Sequence, residues 1–477
     1  MSFLGNHRLL AGSGASFLLA TLMTLVSTKA SASVTPVQLP PYEEHHLENG
    51  MRVVIAPRTE LPLVSVRLLL ETGAVDDPPQ KAGLASFVSG LIKRGTTNRS
   101  ADEIDGAIEF VGGSLDTGSG NTSTVVSGTV TSEHLPLAFE LVADVTLHPS
   151  FPKDEFQIHK RRTIASLAQA LDDPGTVADR AMLSTLLPPG HPYVPPPSGT
   201  RQSVSTFGLE DVRRFHRTYY APGRATLIVV GDVTAKKVLE LARSHYGEWR
   251  TKTPPQVEIP QLSPLKKNAI RIIHKEKATQ VQIRFVGRSF SEKTDPVFFP
   301  AVVANTAFGG GFTSRLVDEI RVNRGLSYSV GTRLTQSRGA GFYSFRSFTK
   351  NETVGELLSV AVGEAAKARE KGFKREEIAR AKSYVAGLYP LRLETNDQIA
   401  AALAEIYLYD LPRDWVETYR GKLVGAKPAQ INRAAAEWFF AEPFAIVLVG
   451  DQKAIKKGLA EAGIKGEVQV IPIEEAE

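Results

Sequence analysis

The residues able to do chemistry in this chain are few and widely scattered. There are ten histidines and no cysteine, so thiol chemistry and thiolate-held metals are excluded. The only close histidine pair is His45-His46, within Glu43-Glu-His-His-Leu-Glu48. The segment reads as a strand, where neighbouring side chains point to opposite faces, so the pair makes a poor chelate. Gly309-Gly-Gly311 has neither the spacing nor the Gly-Lys-Ser/Thr ending of a phosphate-cradling loop. It reads instead as a close backbone approach at a turn into a helix. More suggestive are Arg321 and Tyr328, seven residues apart in Arg-Val-Asn-Arg-Gly-Leu-Ser-Tyr. Asp318 to Asn323 reads as a helix end, Gly325 as its C-terminal stop, and Leu326 onward as a strand. Such a pair places a charged donor and a hydroxyl close together in one short segment. In a bland reading, the Arg answers the helix dipole and the Tyr packs on its strand. Nearby Arg324 reads as solvated.

The elements that would position these groups are repeated. Val212-Arg-Arg-Phe-His-Arg-Thr-Tyr-Tyr followed by Ala225-Thr-Leu-Ile-Val-Val-Gly-Asp232 matches Ile431-Asn-Arg-Ala-Ala-Ala-Glu-Trp-Phe followed by Phe444-Ala-Ile-Val-Leu-Val-Gly-Asp451, at a shift of 219 residues. Val64-Ser-Val-Arg67 echoes Val281-Gln-Ile-Arg284, and Glu155 with Lys160 echoes Glu377 with Lys382. Three echoes in one order indicate a duplication. Between the copies, Thr253 to Pro264 holds four prolines in twelve residues, a stiff extended linker. Each half opens on β-rich runs (Arg52 to Ile55 and Val64 to Leu70; Ile270 to Ile273 and Val281 to Val286), continues in helical patterns and closes on a strand before Gly-Asp. The implied class is α+β: two homologous sandwich domains, each a mainly antiparallel sheet covered by helices, forming a clam-like chamber.

Residues 1–32 read as a signal peptide, with Arg8 in the n-region, an apolar Leu9 to Val26 and a small-x-small Ala30-Ser31-Ala32. Its core is short for a membrane-spanning helix. The expected domains are therefore 1–32 signal peptide, 33–252 N-terminal domain, 253–267 linker and 268–477 C-terminal domain. Cleavage removes Arg8 and Lys29 and no acid, taking the formal charge from +5 to +3. So mild a charge gives no footprint for nucleic acid. The expected location is the periplasm, for a Gram-negative host, with no membrane attachment after cleavage.

Gly83-Leu-Ala-Ser-Phe-Val-Ser-Gly-Leu-Ile-Lys-Arg-Gly-Thr96 resembles the signature helix of the pitrilysin/insulinase-type zinc peptidases, whose active members read Gly-Leu-Ala-His-Phe-x-Glu-His. Phe110 to Thr117, Gly190-His-Pro-Tyr193 with Gly199-Thr200, and Gly309 to Leu316 through Gly325-Leu-Ser-Tyr328 resemble further family motifs in the same order. Two imidazoles one helical turn apart grip the zinc ion there, and the Glu between them serves as general base. Mapped onto this chain, those positions are Ser86, Ser89 and Gly90. The third-ligand position falls on Leu167, or on Ser166 if anchored on Asp172-Asp-Pro174. None of these supplies the nitrogen, sulfur or anionic oxygen that zinc requires.

The resemblance therefore implies no metal or cofactor in this chain and no catalytic residue of its own. It implies a heterodimer in which a homologous subunit carries Zn²⁺, while Arg321 and Tyr328 reach a peptide in that partner's site. The alternatives are an inert structural scaffold of the same fold and an autonomous peptidase with unorthodox ligands.

Overall fold

The computed structural model describes residues 37–476, so the expected signal segment lies outside the described residues. Two six-stranded sheets carry the fold. The first is built from β1 (Glu43–His46), β2 (Arg52–Pro57), β3 (Leu63–Leu70), β4 (Ser114–Ser119), β5 (Thr124–Thr131) and β6 (Ala225–Gly231), in the order β1-β2-β6-β3-β5-β4. The second contains β7 (Ala269–His274), β8 (Gln280–Ser289), β9 (Val330–Ser337), β10 (Ala340–Lys350), β11 (Ala445–Gly450) and β12 (Glu467–Pro472), in the order β12-β7-β11-β8-β10-β9. The repeat is visible strand by strand: β2, β6, β3, β5 and β4 answer β7, β11, β8, β10 and β9. Pairing is antiparallel except where β2 meets β6 and where β7 meets β11 and β12. The two halves differ at one edge, where β1 joins antiparallel and β12 parallel. His45 and His46 sit on that first edge strand, beside Glu43 and Glu44 respectively.

Strand alternation explains how the layers assemble. Val53 and Ile55 of β2, Val66 and Leu68 of β3, and Leu227 and Val229 of β6 face one core, with the helices Leu84–Leu91, Leu135–Leu147 and Ala235–Tyr246. Their neighbours Val54, Ala56, Ile228 and Val230 face the other way, into a core shared with Ile399, Ala400 and Leu403. A strand buried on both faces needs a cover on each, and here the second cover comes from the other half. Helix Asn396–Leu408 of the second half lies across β3 and β6. Helix Pro174–Leu186 of the first half lies across β7, β8 and β11, packing Val177, Ala178 and Ala181 on Ile273, Val447 and Val449. Fully burying a Val, Leu or Ile side chain is worth about 1.5–3 kcal/mol, so this exchange joins the halves strongly. The described residues form one compact unit.

Polar contacts repeat the exchange. Arg67 of β3 reaches Asp397 of the incoming helix at 2.7 Å, and Arg284 of β8 reaches Asp179 of the reciprocal helix. Lys160 donates to the carbonyls of Ser205 and Phe207, as Lys382 does to those of Val424 and Ala426. The proline-rich segment has no regular structure and is held along its length. Arg224, Arg338 and Arg288 donate to the carbonyls of Pro255, Val257 and Leu262. Among the described residues no helix is long and apolar enough to cross a membrane.

Arg284 is nearly buried, and among the described residues Asp179 is the only carboxylate within ion-pair distance of it. Removing that acid strands a desolvated guanidinium, although the carbonyls of Gly175 and Ser347 still accept from it. Asp179→Ala is expected to cost about 2 kcal/mol, read as a lower urea midpoint. An unchanged midpoint would remove the cross-half role given to this pair.

Candidate functional site

The signature-like helix Leu84–Leu91 is fixed first at its N-terminus. Asp77 accepts hydrogen bonds from the Gly83 and Ala85 N–H groups at 2.7 and 2.8 Å, which satisfies donors that a helix start leaves free. Gly83, at φ +91, meets Gly199 back to back. A Cβ on Gly83 would lie 2.6 Å from the Gly199 Cα, and one on Gly199 would lie 2.3 Å from the Ala82 carbonyl oxygen. Two distant glycine-containing motifs are thus one contact. Leu84, Val88, Leu91 and Ile92 are buried in the first-half core.

Ser86 and Gly90 are half-buried, while Ser89 is 1% exposed and its Oγ has no hydrogen-bond partner among the described residues. The sequence leaves this face bare; the structure fills it. The imidazole of His159, from helix Lys153–Ala170, lies against Gly90, where a Cβ would meet its Cε1 at 2.8 Å and its Nε2 at 3.0 Å. The same ring packs on Phe87, centroids 4.5 Å apart, and Phe156 and Phe207 complete the contact with Phe87. Burial holds His159 below the usual imidazole range, although a hydrogen bond to the Phe87 backbone opposes it.

Leu167 lies two turns further along that helix, 4% exposed in the apolar core, and Ser166 is exposed to solvent. One imidazole with two serine hydroxyls and a glycine does not fit a zinc ion, which takes N, S or anionic O donors in a tetrahedral set. Among the described residues no group of three or more His, Asp or Glu could hold a metal.

The second cluster lies in the other half. Arg321 and Tyr328 line one cavity of about 380 Å³, together with Gly309–Phe312, Thr332 and Tyr384. The Arg321 guanidinium stands over the Phe312 ring at 5.1 Å, and the Tyr328 ring meets the edge of Phe348 at 4.8 Å. Tyr328 is 75% exposed, and Arg321 makes no hydrogen bond or ion pair with a described residue.

The expected helix end is a wider π-helical turn, Val317–Asn323, closed by the Leu326 N–H reaching the Ile320 carbonyl at 2.9 Å, with Gly325 at φ +61. The expected strand from Leu326 is corrected: β9 begins at Val330, which leaves Tyr328 in the preceding loop. Side chains of β10 hold that loop out of the ladder. Thr349 Oγ1 donates to the Leu326 carbonyl at 2.8 Å and Ser347 Oγ to the Ser329 carbonyl at 2.9 Å. Arg315 anchors the approach, bonding both oxygens of Glu377 at 2.8 Å and the Gly372 carbonyl at 3.0 Å. Gly309 owes its smallness to β9, since a Cβ there would strike Thr332 at 2.7 Å, while one on Gly310 would strike Asn305 at 2.5 Å.

His159 and Arg315 were not singled out from the sequence. His159 stands one residue before Lys160, which the repeat did mark, but nothing in the pattern says which helix position faces Gly90. The His191 to Tyr193 segment proves to be a brace between halves, with Tyr193 Oη donating to the Arg338 carbonyl at 2.7 Å.

Two outcomes follow. Gly90→Ala should gain about 1 kcal/mol of helix propensity, yet it should fail to stabilise the protein while His159 is present. In a His159→Ala background the gain should appear, giving a coupling of about 1 kcal/mol by urea unfolding; additivity would show that the two positions do not touch. Because the folded pKa of His159 is depressed below 6.5, its contribution is complete above that value and is lost as pH falls through the folded pKa. His159→Gln should therefore flatten part of the loss of stability below pH 6.5, and an unaltered acid limb would contradict the buried neutral ring.

Comparison with known proteins agrees with this architecture. Residues 52–187 match the model of the insulinase family, peptidase family M16, and residues 206–385 match that of the peptidase M16 inactive domain. An uncharacterized zinc protease of Mycobacterium leprae is 29% identical over 359 residues, which cover 74% of this chain and 79% of that protein. A crystal structure of a peptidase M16 inactive domain from Pseudomonas fluorescens superposes with a TM-score of 0.80 at 23% identity, covering 86% of this chain and 98% of that one. The periplasmic protease PqqL of Escherichia coli gives a TM-score of 0.71 at 16% identity, over 90% of this chain and 50% of that chain. With both halves matched, the chain belongs to the insulinase, or pitrilysin-type, peptidase family M16.

Proposed function

We propose that this chain is a non-catalytic subunit that pairs with a zinc-bearing homologue, closes a peptide-binding chamber with it and lends Arg321 and Tyr328 to the partner's active site. The observation that carries this reading is a contrast within one molecule. Where family M16 places its metal ligands, this chain has Ser86, Ser89 and Gly90, with the His159 ring packed into the gap. Where it places its Arg and Tyr, both remain, exposed around a single cavity. A surface kept open only for packing would not leave a guanidinium without a carboxylate and a tyrosine three-quarters exposed.

In this reading the partner supplies Zn²⁺ and the general base. Arg321 donates charge-assisted hydrogen bonds to the scissile carbonyl or to the oxyanion forming from it, and the Tyr328 hydroxyl donates another. Export through residues 1–32 to the periplasm belongs to the same proposal, supported by the n-region, apolar core and small-residue cleavage site. The PqqL neighbour is a periplasmic protein by its own description.

The chain alone should cleave no peptide, and cleavage should appear when it is mixed with a homologue carrying an intact His-x-x-Glu-His. Arg321→Ala should lower the restored kcat by on the order of 10²-fold, the usual cost of one oxyanion donor. Co-elution on size exclusion should stay unchanged. Equal turnover in the variant would defeat the role of Arg321, and chelator-sensitive hydrolysis by the isolated chain would defeat the proposal as a whole.

A further inference from the structure

A second cavity, about 790 Å³, adjoins the first: Gly310 and Thr332 line both. It runs beside β9, the edge strand of the second sheet. The Thr332 carbonyl accepts from Asn305 Nδ2 at 3.5 Å and so points away from β10. Backbone direction alternates along a strand, so the groups of Leu334 and Gln336 face the same open side. An edge of this kind accepts an added strand.

The walls define what that strand would carry. Trp415, Phe298 and the stacked Tyr389–Tyr419 pair, with ring centroids 4.2 Å apart, give an aromatic floor. The charged lining is Lys293, Arg333, Arg392 and Glu405. Glu405 is taken by Lys293, which also lies 4.0 Å over Tyr409. Arg333 and Arg392 have no ion-pair partner among the described residues. Asn305 Oδ1 and Gln336 Nε2 are shielded from solvent and have no hydrogen-bond partner there either. An aromatic floor, an excess of two positive charges and unmet polar atoms beside an open strand edge call for one kind of occupant.

We propose that this groove binds an extended peptide segment that pairs with β9 and presents a carboxylate beside a bulky apolar side chain. The inference rests on the peptide-binding reading above and adds the chemistry of the peptide. The apolar group lies on the Trp415–Tyr419 floor. The carboxylate, whether an acidic side chain or a chain terminus, sits between Arg333 and Arg392.

The test uses the full chain without a partner, so it is independent of restored cleavage. Fluorescence anisotropy would compare a short labelled β-branched peptide bearing Phe-Glu and a free C-terminus with its Phe-Gln form, its amidated form and the form lacking both carboxylates. The expected result is binding at least about tenfold tighter for a carboxylate-bearing peptide than for the form with none, a difference of about 1.4 kcal/mol. Arg333→Glu with Arg392→Glu should erase that preference, and the control Arg324→Glu, at a residue that lines neither cavity, should keep it. Whichever single replacement removes the preference identifies the side chain or the terminus as its source. Both replaced arginines are exposed, and an unchanged urea midpoint would show the double variant folded. Equal binding of all four peptides, no binding of any, or a folded double variant that binds like the parent would overturn the proposal. Loss of this preference beside an intact Arg321 effect on restored cleavage would sink the groove alone and leave the subunit reading standing.

Discussion

The central strands of each sheet are buried on both faces, and one of those faces is covered by a helix from the other half. That constraint is met by exchange. Helix Pro174–Leu186 leaves the first half to cover β7, β8 and β11, and helix Asn396–Leu408 leaves the second to cover β3 and β6. The bidirectional apolar pattern of β2 and β6, with Val54, Ala56, Ile228 and Val230 turned toward the other half's helix, makes separation costly. The Arg67–Asp397 and Arg284–Asp179 pairs stand at corresponding places in the two exchanges and give them a fixed register. Everything that brings distant motifs together depends on this: the Tyr193 brace, the pinned linker and the common frame that holds both candidate clusters.

Within that frame the two halves have treated equivalent ground differently. In the first half, the helix that could have held a metal is a packing element. Asp77 caps it, Gly199 abuts its start, and His159 closes the space beside Gly90. A neutral imidazole packed on Phe87 makes good core material and a poor metal site. In the second half, the corresponding effort goes into holding a loop open. The Arg315–Glu377 pair, the wide π turn and the hydroxyls of Ser347 and Thr349 use strong local bonds to keep Arg321 and Tyr328 at the surface. Stability has been concentrated beneath a site whose own side chains contribute little to it.

The cavity along β9 extends the same logic. Among the described residues the outer side of this edge strand pairs with no other strand, its flank is aromatic, and two arginines stand beside it without an ion-pair partner. Edge strands are ordinarily blunted because they recruit other chains. One left open between an aromatic floor and uncompensated charge is an arrangement suited to recruiting a chosen one.

The duplication, the α+β class, the strands around Val64–Leu70 and Val281–Val286, and the chemical inadequacy of Ser86, Ser89 and Gly90 for zinc were all legible in the order of the amino acids. These follow from period, composition and donor type, which are local properties. That order could not determine that each half lends a helix to the other, because apolar stripes specify burial and do not name the partner surface. It could not foresee His159 beside Gly90 either: the contact joins positions 69 residues apart in sequence, and its geometry depends on how two helices cross. The strand expected from Leu326 begins four residues late for a similar reason, since hydroxyls on β10 compete for the backbone bonds that local propensity had assigned to the ladder. Residue type was legible where chemistry is intrinsic to the side chain, and tertiary structure decided wherever the outcome turned on which surface arrived opposite.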